Sequence, residues 1–416
     1  MRIGLFLYRL ATRLLAPAVS LMARGRVTKG KENPDTLHAR FAKGLPPKPD
    51  GPLVWLHGAS VGESKLCLLI GDALREERPN LTLLHTCQTL TGAALILAHI
   101  AGKPNRIYAP APIDTPAIAR RFSAHWQPDL AIFAEGEIWP NLLCEVRERD
   151  AKTALINARM TKGSLEGWSR WPDTARTVLG RFDLIAASDA DTAKALQTHA
   201  PHAYALPANL KTDLPPPTAD EDEVASLKTA IGGRPVLLAA STHPGEEALV
   251  LDALSGITRR PFLILAPRHP ERGNDVQNLL NTRQHTVSRR SKNAPITRNT
   301  DVLLADTMGE MGLWIRLADT VYLGGGHAEG VGGHNPLEPI RLGKPVLTGA
   351  NVFNFSAMME ELENQGALTF VETASELADA FPAPAPPVLK PSNTSPLAVL
   401  IPQLLALLPP QEDSHA

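Results

Sequence analysis

Short apolar runs alternate with longer helical patterns of apolar and polar residues along most of the chain. The predicted strands are 53–57, 81–86, 130–134, 153–156 and 184–187 in the first half, and 235–240, 262–266, 302–304, 320–323 and 346–348 in the second. This alternation is typical of parallel sheets wrapped by helices. A proline-rich stretch at 207–217 separates the halves, so the pattern predicts two α/β domains.

The first residues follow a different pattern. Residues 3–23 are mostly apolar, and the arginines at 2, 9, 13 and 24 would fall in one narrow arc of a helix, which leaves a wide apolar face. We expect this helix to lie in a membrane interface, although it could instead pack on the globular body. Full crossing would take ~20 residues and would bury two arginines at high cost. The cations that follow, Arg24, Arg26, Lys29 and Lys31, would attract an anionic, cytoplasmic membrane surface.

These patterns divide the chain into four expected parts. They are a membrane-associated helix with a basic flank at 1–30, an acceptor-binding domain at 31–206, a nucleotide-binding domain at 207–395, and a C-terminal helix and tail at 396–416. The chain has 416 residues, 44% of them hydrophobic, which is enough for two separate cores. Its formal net charge of -1 gives no sign of nucleic-acid binding. Its three cysteines lack CxxC spacing, which argues against a disulfide framework or a zinc site.

The segment 321–348 contains the strongest nucleotide signal. An apolar strand runs into a glycine-rich loop, and Asn335 and Pro336 then open a helical pattern that contains Glu338. Closely approaching backbone N–H groups and a helix N-terminus favour a phosphate, and Glu338 could accept hydrogen bonds from a ribose. The spacing is not the dinucleotide fingerprint, so hydride transfer is disfavoured. Alternatively, Asn335 only caps the helix and the glycines only turn the chain.

Carboxylates follow the predicted strands of the first half. Glu63 starts a helix after the strand 53–57, where the helix dipole favours its ionised form, and an ionised carboxylate in a cleft can act as a general base. By itself, Glu63 is as well explained as a helix-start residue. Glu135 and Glu137 follow the strand 130–134, where a pair of carboxylates could divide acid and base roles. Lys211 could meet an anionic substrate or could be a solvated surface charge.

The loops of the second half offer cations and glycines. Arg268 follows the strand 262–266 and could bind a phosphate through its two-pronged guanidinium. Gly309 precedes another helical pattern. Histidines are scattered without metal-ligand spacing, so no metal site is expected.

Together these motifs resemble one family, the 3-deoxy-D-manno-octulosonic acid (Kdo) transferases of lipopolysaccharide synthesis. The matching segments are SVGE, EIWPN, NAR, NLK, STHPGEE, PRHPER, DTMGE and GGHNPLE. The resemblance implies a GT-B glycosyltransferase, with two Rossmann-like domains facing a cleft, on the cytoplasmic face of the inner membrane. It implies inverting transfer of Kdo from CMP-Kdo to the lipid A precursor, without a metal or other cofactor.

The resemblance also implies roles for individual residues. Glu63 matches the general base, and Glu135 and Lys211 match residues that stabilise the transition state. The implied CMP-binding residues are Pro267, Arg268, Met308, Gly309, Glu310, Asn335, Pro336, Leu337 and Glu338. Gly136 and Ala208 depart from the family pattern, in place of a bulkier residue and a glycine. Another GT-B enzyme, either a transferase or an epimerase, and a non-catalytic nucleotide-binding protein remain as alternatives.

Overall fold

The chain forms two compact units, as seen in a computed structural model that describes residues 3–28, 30, 32–160, 162–353, 355–387 and 395–410. The first unit consists of Met1–Leu214 together with Pro391–Ala416, and the second of Pro215–Lys390. Two cations of the expected basic flank, Lys29 and Lys31, lie outside the described residues, as do part of the proline-rich segment and the tail after residue 410.

Each unit contains a seven-stranded sheet in which every strand pair is parallel. The first sheet has the order β3-β2-β1-β4-β5-β6-β7, and the second has the order β10-β11-β9-β8-β12-β13-β14. The strands are β1 Leu53–Gly58, β2 Thr82–Cys87, β3 Arg106–Pro110, β4 Leu130–Ala134, β5 Lys152–Ala158, β6 Leu184–Ala187, β7 Tyr204–Ala205, β8 Val236–Thr242, β9 Phe262–Pro267, β10 Val287–Arg289, β11 Val302–Leu304, β12 Thr320–Leu323, β13 Val346–Thr348 and β14 Leu368–Phe370.

Helices connect the strands. They are α1 Ile3–Leu14, α2 Ala16–Thr28, α3 Val61–Glu77, α4 Leu90–Ile100, α5 Pro116–Trp126, α6 Pro140–Arg147, α7 Lys162–Arg170, α8 Pro172–Leu179, α9 Ala190–Gln197, α10 Glu221–Ile231, α11 Glu246–Gly256, α12 Gly273–Thr282, α13 Met311–Leu317, α14 Leu337–Arg341, α15 Ser356–Asn364, α16 Ala374–Asp379 and α17 Pro396–Leu405. Short 3-10 turns at Pro34–Phe41 and Leu210–Asp213 carry residues discussed below. The predicted doubly wound architecture is confirmed in both units.

The predicted strands are the central ones, and the four strands that the sequence pattern missed, β3, β7, β10 and β14, are the edges of the two sheets. A central parallel strand is buried on both faces and therefore reads as a continuous apolar run. The edge strands are short and partly exposed: β7 has two residues, and β10 buries only its middle residue. They leave no comparable apolar signal.

The core of each unit lies on both faces of its sheet. In β1, Trp55 points into one apolar cluster with Phe122 and Phe133, whereas Val54 and Leu56 point into another. The second unit repeats this arrangement, with separate clusters on the two faces of its sheet. Because successive side chains of a strand point to opposite faces, one apolar run can fill both layers.

The N-terminal segment forms two helices instead of the single helix that was expected. The helices α1 and α2 meet at a bend of 56°. Pro17, near the start of α2, has no N–H to continue the helical ladder, which accounts for the break. No described helix is alone long and apolar enough to cross a membrane, although the bent pair would pass by length and composition.

Three side chains of α1 face the protein. Leu5 is buried, the Tyr8 hydroxyl donates to Asp114 Oδ2 at 2.8 Å, and Arg9 Nη2 donates to the buried carboxylate of Glu145 at 2.8 Å. Five other large apolar side chains of this helix are exposed, namely Ile3, Phe6, Leu7, Leu10 and Leu14. The exposed side of α1 is therefore largely apolar.

The boundary between the units lies after Leu214, beyond the position at 206/207 expected from the sequence. The turn Leu210–Asp213 belongs to the first unit because Leu210 is fully buried in its core and donates its N–H to Asn157 Oδ1 at 2.9 Å. Lys211 is thus part of the first unit. The helix α17 also packs there, with its first turn held by Asp213, whose Oδ2 accepts from Ser395 Oγ and from the Leu397 N–H.

The docking of α17 leads to a stability prediction. Leu404 is fully buried in the same cluster as Leu66 and Ile70 of α3. We expect Leu404→Ala to lower the free energy of unfolding of the first unit by about 2–5 kcal/mol through lost burial and a cavity. Urea denaturation followed by tryptophan fluorescence would measure this. Ala398→Gln, at an exposed position of the same helix, should change it by less than about 0.5 kcal/mol; equal effects would contradict the packing of α17.

Candidate active site

In the first unit, the candidate catalytic residues gather at the carboxyl ends of β1, β4 and β5. The strand order reverses direction between β1 and β4, and ligands of such sheets bind at this switch point. Glu63 comes from the start of α3, Glu135 follows β4, and Lys211 lies in the turn after β7. Residues far apart in sequence are thereby brought to one edge of one sheet.

Glu63 is held by the chain that leads into α3. Its Oε2 accepts from the N–H groups of Ala59 and Ser60, and the Ser60 hydroxyl accepts from the Glu63 N–H at 3.4 Å, which completes a capping box. A Cβ on Gly58 would lie 2.8 Å from the Glu63 Cβ, so only glycine allows this close turn. The helix-start role expected as the alternative is therefore real. It orients the carboxylate and does not exclude a chemical role.

The environment of Glu63 makes it a stronger base. Burial raises its pKa, and the negative charges of Glu135 and Glu137 raise it further, while the two backbone hydrogen bonds oppose the shift. A carboxylate with a raised pKa takes a proton from a hydroxyl group more readily, provided that it is ionised at the working pH. The three acids therefore act as one electrostatic cluster.

Glu135 and Lys211 form an ion pair. Lys211 Nζ lies 2.5 Å from Glu135 Oε1, and both side chains are mostly buried. The backbone of Glu135 is left-handed, with φ of 55°. The cation therefore lies beside the carboxylate cluster and offsets part of its charge.

Asn157 connects the two partners, and the sequence analysis did not single it out. It is fully buried at a bulge of β5, with φ of 49°. Its Nδ2 donates to Glu135 Oε1 at 3.4 Å and its Oδ1 accepts from the N–H of Leu210, next to Lys211. Asn157 lies in the NAR motif at the end of a predicted strand, and this position was the sequence signal that could have identified it as a site residue.

Glu137 is held by a second set of groups, which the sequence analysis also missed. Its Oε2 accepts from Trp139 Nε1 at 2.8 Å and lies 3.6 Å from the buried His57 Nε2. The Thr86 hydroxyl accepts from Trp55 Nε1 and lies 2.8 Å from His57 Nδ1. The contact with Thr86 thus fixes the ring so that Nε2 is turned towards Glu137.

Gly136, which stands where the family pattern has a bulkier residue, has room for a larger side chain. A Cβ at this position would meet only the Arg159 carbonyl oxygen, at 3.7 Å, which is ordinary van der Waals contact. Glycine is therefore not required between the two glutamates by close packing.

In the second unit, the glycine loop after β12 is bound to a buried carboxylate. Glu246 accepts hydrogen bonds from the N–H groups of Gly325, His327 and His243. A Cβ on Gly324 would lie 2.7 Å from Glu246 Oε2, which explains the glycine. The N–H groups of Gly325 and His327 are thus already used within the protein and do not remain as donors for a phosphate.

The helix after this loop is also a weaker anion site than expected. The helix α14 has five residues, and Pro336 and Pro339 cannot donate hydrogen bonds. Asn335 Oδ1 accepts from the Leu337 N–H at 3.1 Å, so Asn335 does cap this helix. The dipole of such a short helix is small, which limits what Asn335, Pro336, Leu337 and Glu338 could offer a phosphate through it.

The other expected CMP-binding residues lie at neighbouring strand ends. Pro267 ends β9, and the side chain of Arg268 is exposed beside it. Met308 is exposed and Gly309 is left-handed, with φ of 87°. Glu310 is engaged: Arg290 Nε donates to its Oε1 at 3.0 Å, and Thr307 also donates to it. Burial would raise the pKa of Glu310, but these hydrogen bonds hold it below its usual value.

Three histidines that look scattered in the sequence meet beside Arg268. The rings of His243 and His334 stack at 5.1 Å, with their Nε2 atoms 2.9 Å apart, and His269 packs edge-on against His243. Burial lowers the pKa of His334 to about 4, helped by the charges of His243 and Arg268. His334 is therefore neutral near pH 7. In the described part of the chain, no three His, Cys, Asp or Glu side chains form a metal-binding group.

The solved structures similar to this chain define its class. A UDP-GlcNAc 2-epimerase from Neisseria meningitidis superposes with a TM-score of 0.54 over 86% of this chain and 100% of that one, at 12% identity. A glycosyltransferase from Rickettsia africae superposes with a TM-score of 0.52 over 86% of this chain and 93% of that one, at 10% identity. At such low identity these similarities establish the fold alone. With two Rossmann-like units, the protein is of the GT-B class.

Sequence relatives define the family. The family described as 3-deoxy-D-manno-octulosonic-acid transferase (kdotransferase) matches residues 35–214. A 3-deoxy-D-manno-octulosonic acid transferase of Haemophilus influenzae is 34% identical over 346 residues, 81% of this chain and 79% of the relative. One of Bordetella pertussis is 33% identical over 378 residues, 88% and 87% of the two chains. The chain belongs to the 3-deoxy-D-manno-octulosonic acid transferase family and is an enzyme, as the motif resemblance predicted.

The role of Glu246 leads to a prediction for the second unit. Glu246→Ala should lower the free energy of unfolding of this unit by at least about 2 kcal/mol, because buried N–H groups lose their acceptor. Glu246→Gln, which keeps one acceptor oxygen, should cost less. Denaturation and amide hydrogen exchange at Gly325 and His327 would measure both effects. Glu271→Ala, at an exposed position, is the control; unchanged exchange in Glu246→Ala would contradict the assigned hydrogen bonds.

The acidic cluster leads to a prediction about pH dependence. A base must be ionised, so activity should rise with pH through the pKa of Glu63. The charge of Glu137 raises that pKa, so Glu137→Gln should lower it and move the acidic limb of the pH–rate profile to lower pH. The profile of kcat/KM would show the shift. Glu148→Gln, on the exposed end of α6, should leave the limb in place. A shift to higher pH would refute the electrostatic coupling.

Proposed function

We propose that this enzyme transfers Kdo from CMP-Kdo to the lipid A precursor, with inversion at the anomeric carbon and without a metal ion, in lipopolysaccharide synthesis. The observation that carries the proposal is the cluster of Glu63 with the Glu135–Lys211 pair in a member of this transferase family. These are the residues to which the motif resemblance gives catalytic roles.

The first unit activates the acceptor. Glu63 removes the proton from the primary hydroxyl of the acceptor sugar, and the oxygen attacks the anomeric carbon of Kdo. The bond from that carbon to the phosphate oxygen breaks, and CMP leaves with the electron pair from the opposite face. The raised pKa of Glu63 and its fixed orientation support this role.

Cations offset the charge that develops. Attack and departure leave negative charge on the phosphate, which the exposed guanidinium of Arg268 can bind in the second unit. Lys211, oriented through Asn157 and its pairing with Glu135, supplies positive charge in the first. Glu246 already accepts from two N–H groups of the glycine loop. Side-chain cations would therefore supply more of the stabilisation of the phosphate charge than the sequence suggested.

The remaining donor-binding roles follow the motif resemblance. Pro267, Met308, Gly309, Glu310 and the segment 335–338 would contact CMP, with Glu338 on the ribose. The side chain of Glu310, already held by Arg290, would contribute by shaping its loop.

The enzyme would work at the cytoplasmic face of the inner membrane, where its acceptor is held. The support is the uncovered apolar face of α1, together with exposed Leu21 and Met22 on α2. An amphipathic segment with an apolar face and neighbouring cations binds a membrane interface. The polar contacts of Tyr8 and Arg9 would fix the first unit to this surface.

Transfer itself is the decisive experiment. The purified protein, CMP-Kdo generated in situ and a lipid A precursor are incubated with a metal chelator, and the product is analysed by mass spectrometry. We expect growth of the acceptor by one or more Kdo units. No growth, with a known transferase active in parallel, would refute the assigned acceptor and donor; growth only without chelator would refute metal independence.

Glu63→Gln tests the catalytic assignment. Removal of the base should lower kcat by at least about 100-fold, since general base catalysis contributes that much or more. Binding of CMP, measured by calorimetry, should be unchanged because Glu63 lies outside the second unit. Glu76→Gln, at the end of the same helix, is the matched control. Full transfer by Glu63→Gln would remove Glu63 from its role.

A further inference from the structure

A small pocket lies where the end of α2 meets the 3-10 turn Pro34–Phe41, within the first unit. Its volume is about 290 Å³, and it is lined by Arg24, Leu37, His38, Phe41 and Lys43. This is near the lower limit of ligand pockets, roughly 300 Å³. Three side chains that can carry positive charge are combined with two apolar ones, a lining that suits a small anion with apolar arms.

The positive charge of the pocket is not compensated within the described residues. The side chains of Arg24, His38 and Lys43 have no acidic partner there. The nearby buried acid, Glu32, is already paired with Arg40 at 2.7 Å and lies 3.7 Å from Arg26. Asp35 begins the 3-10 turn but does not line the pocket.

The wall of the pocket is braced by backbone contacts. The Phe41 carbonyl accepts from Arg121 Nη2 at 2.9 Å. Ala42 is left-handed, with φ of 51°, and the chain turns back so that the Lys43 N–H donates to the His38 carbonyl at 3.1 Å. The side chains of His38 and Lys43 therefore extend from a turn whose backbone is fixed. Less conformational entropy would be lost when they bind a ligand.

The pocket adjoins the uncovered apolar surface. Leu21 and Met22, which are 72% and 70% exposed, precede Arg24 by one turn or less on α2. Leu21, three residues before Arg24, lies on the same side of α2, so a molecule that places an anion against Arg24 can lay an apolar chain along Leu21. Free phosphate has no such chain.

We infer that this pocket binds the phosphate headgroup of an anionic phospholipid of the bilayer. The inference rests on the membrane association proposed above and adds a defined contact to it. The guanidinium of Arg24 and the ammonium of Lys43 bind the phosphate oxygens, His38 donates a further hydrogen bond, and Leu37 and Phe41 contact the glycerol and ester groups. The α1–α2 face enters the interface at the same time.

Vesicle binding by single variants tests the pocket. The full-length protein is sedimented with vesicles of phosphatidylcholine alone or with added phosphatidylglycerol, and Arg24→Gln and Lys43→Gln are compared with Arg13→Gln. Arg13 is an exposed cation of α1 outside the pocket. Loss of one cation near an anionic surface costs roughly fivefold in binding. We expect that loss for Arg13→Gln and at least tenfold losses for the two pocket variants, on phosphatidylglycerol vesicles only. Equal losses in all three would overturn the pocket.

A soluble lipid tests the contact directly. Dihexanoyl phosphatidylglycerol below its micelle concentration should shift the imidazole NMR signals of His38 in the wild type and not in Arg24→Gln. Inorganic phosphate at the same concentration should shift them less. Equal shifts with both ligands would make the site a simple phosphate site and refute the phospholipid.

Activity separates this inference from the proposed function. In detergent micelles, Arg24→Gln and Lys43→Gln should transfer at wild-type kcat and with the wild-type KM for the acceptor, which would also show that they are folded. A raised acceptor KM with unchanged vesicle binding would assign the pocket to the phosphates of the acceptor and overturn the inference. Binding of no vesicle by any form would overturn both the pocket and the membrane proposal, while transfer in detergent would still test the reaction independently.

Discussion

A carboxylate that is taken out of water must be met by hydrogen-bond donors or cations, and both units of this protein arrange their loops around that requirement. In the second unit, the buried Glu246 collects three backbone N–H groups and so ties the loop after β8 to the glycine loop after β12. In the first, Glu63 takes N–H groups from the turn before its own helix. These hydrogen bonds fix the conformation of the loops at the strand ends. The fixed loops in turn position the other polar side chains of the two sites.

The first unit places its acids closer together than stability alone would favour. Glu63, Glu135 and Glu137 repel one another, and Lys211 contacts the group through Glu135. Asn157 joins Glu135 to the turn that carries Lys211, and His57 stands behind Glu137. An acid with a raised pKa, here Glu63, among side chains that are held in place is typical of sites where a proton is moved. Burial and this repulsion together raise the pKa of Glu63, which is the physical basis for its proposed role as a base.

The N-terminal helices show the opposite arrangement from an ordinary surface helix. Tyr8 and Arg9 of α1 bind the rest of the protein, and five large apolar side chains of the same helix are exposed. Leaving Phe6 and Leu10 in contact with water costs hydrophobic free energy as long as nothing else covers them. A membrane interface that accepts the apolar side chains and offers anions to the cations of α2 would remove this cost.

The sequence by itself determined the central strands, the two-sheet architecture and the positions of the charged loop motifs, because buried parallel strands leave apolar runs and the loops after them hold charged residues. It could not show the edge strands, whose half-exposed residues leave no such run, or the bend after Leu14. Which groups meet was decided only by the tertiary structure. The pairing of Glu135 with Lys211, the gathering of His243, His269 and His334, and the engagement of Gly325 by Glu246 all join distant segments. A sequence shows which hydrogen-bond donors and acceptors are present. Parallel strands bring their carboxyl ends to one edge of the sheet, and the geometry at that edge determines which donor pairs with which acceptor.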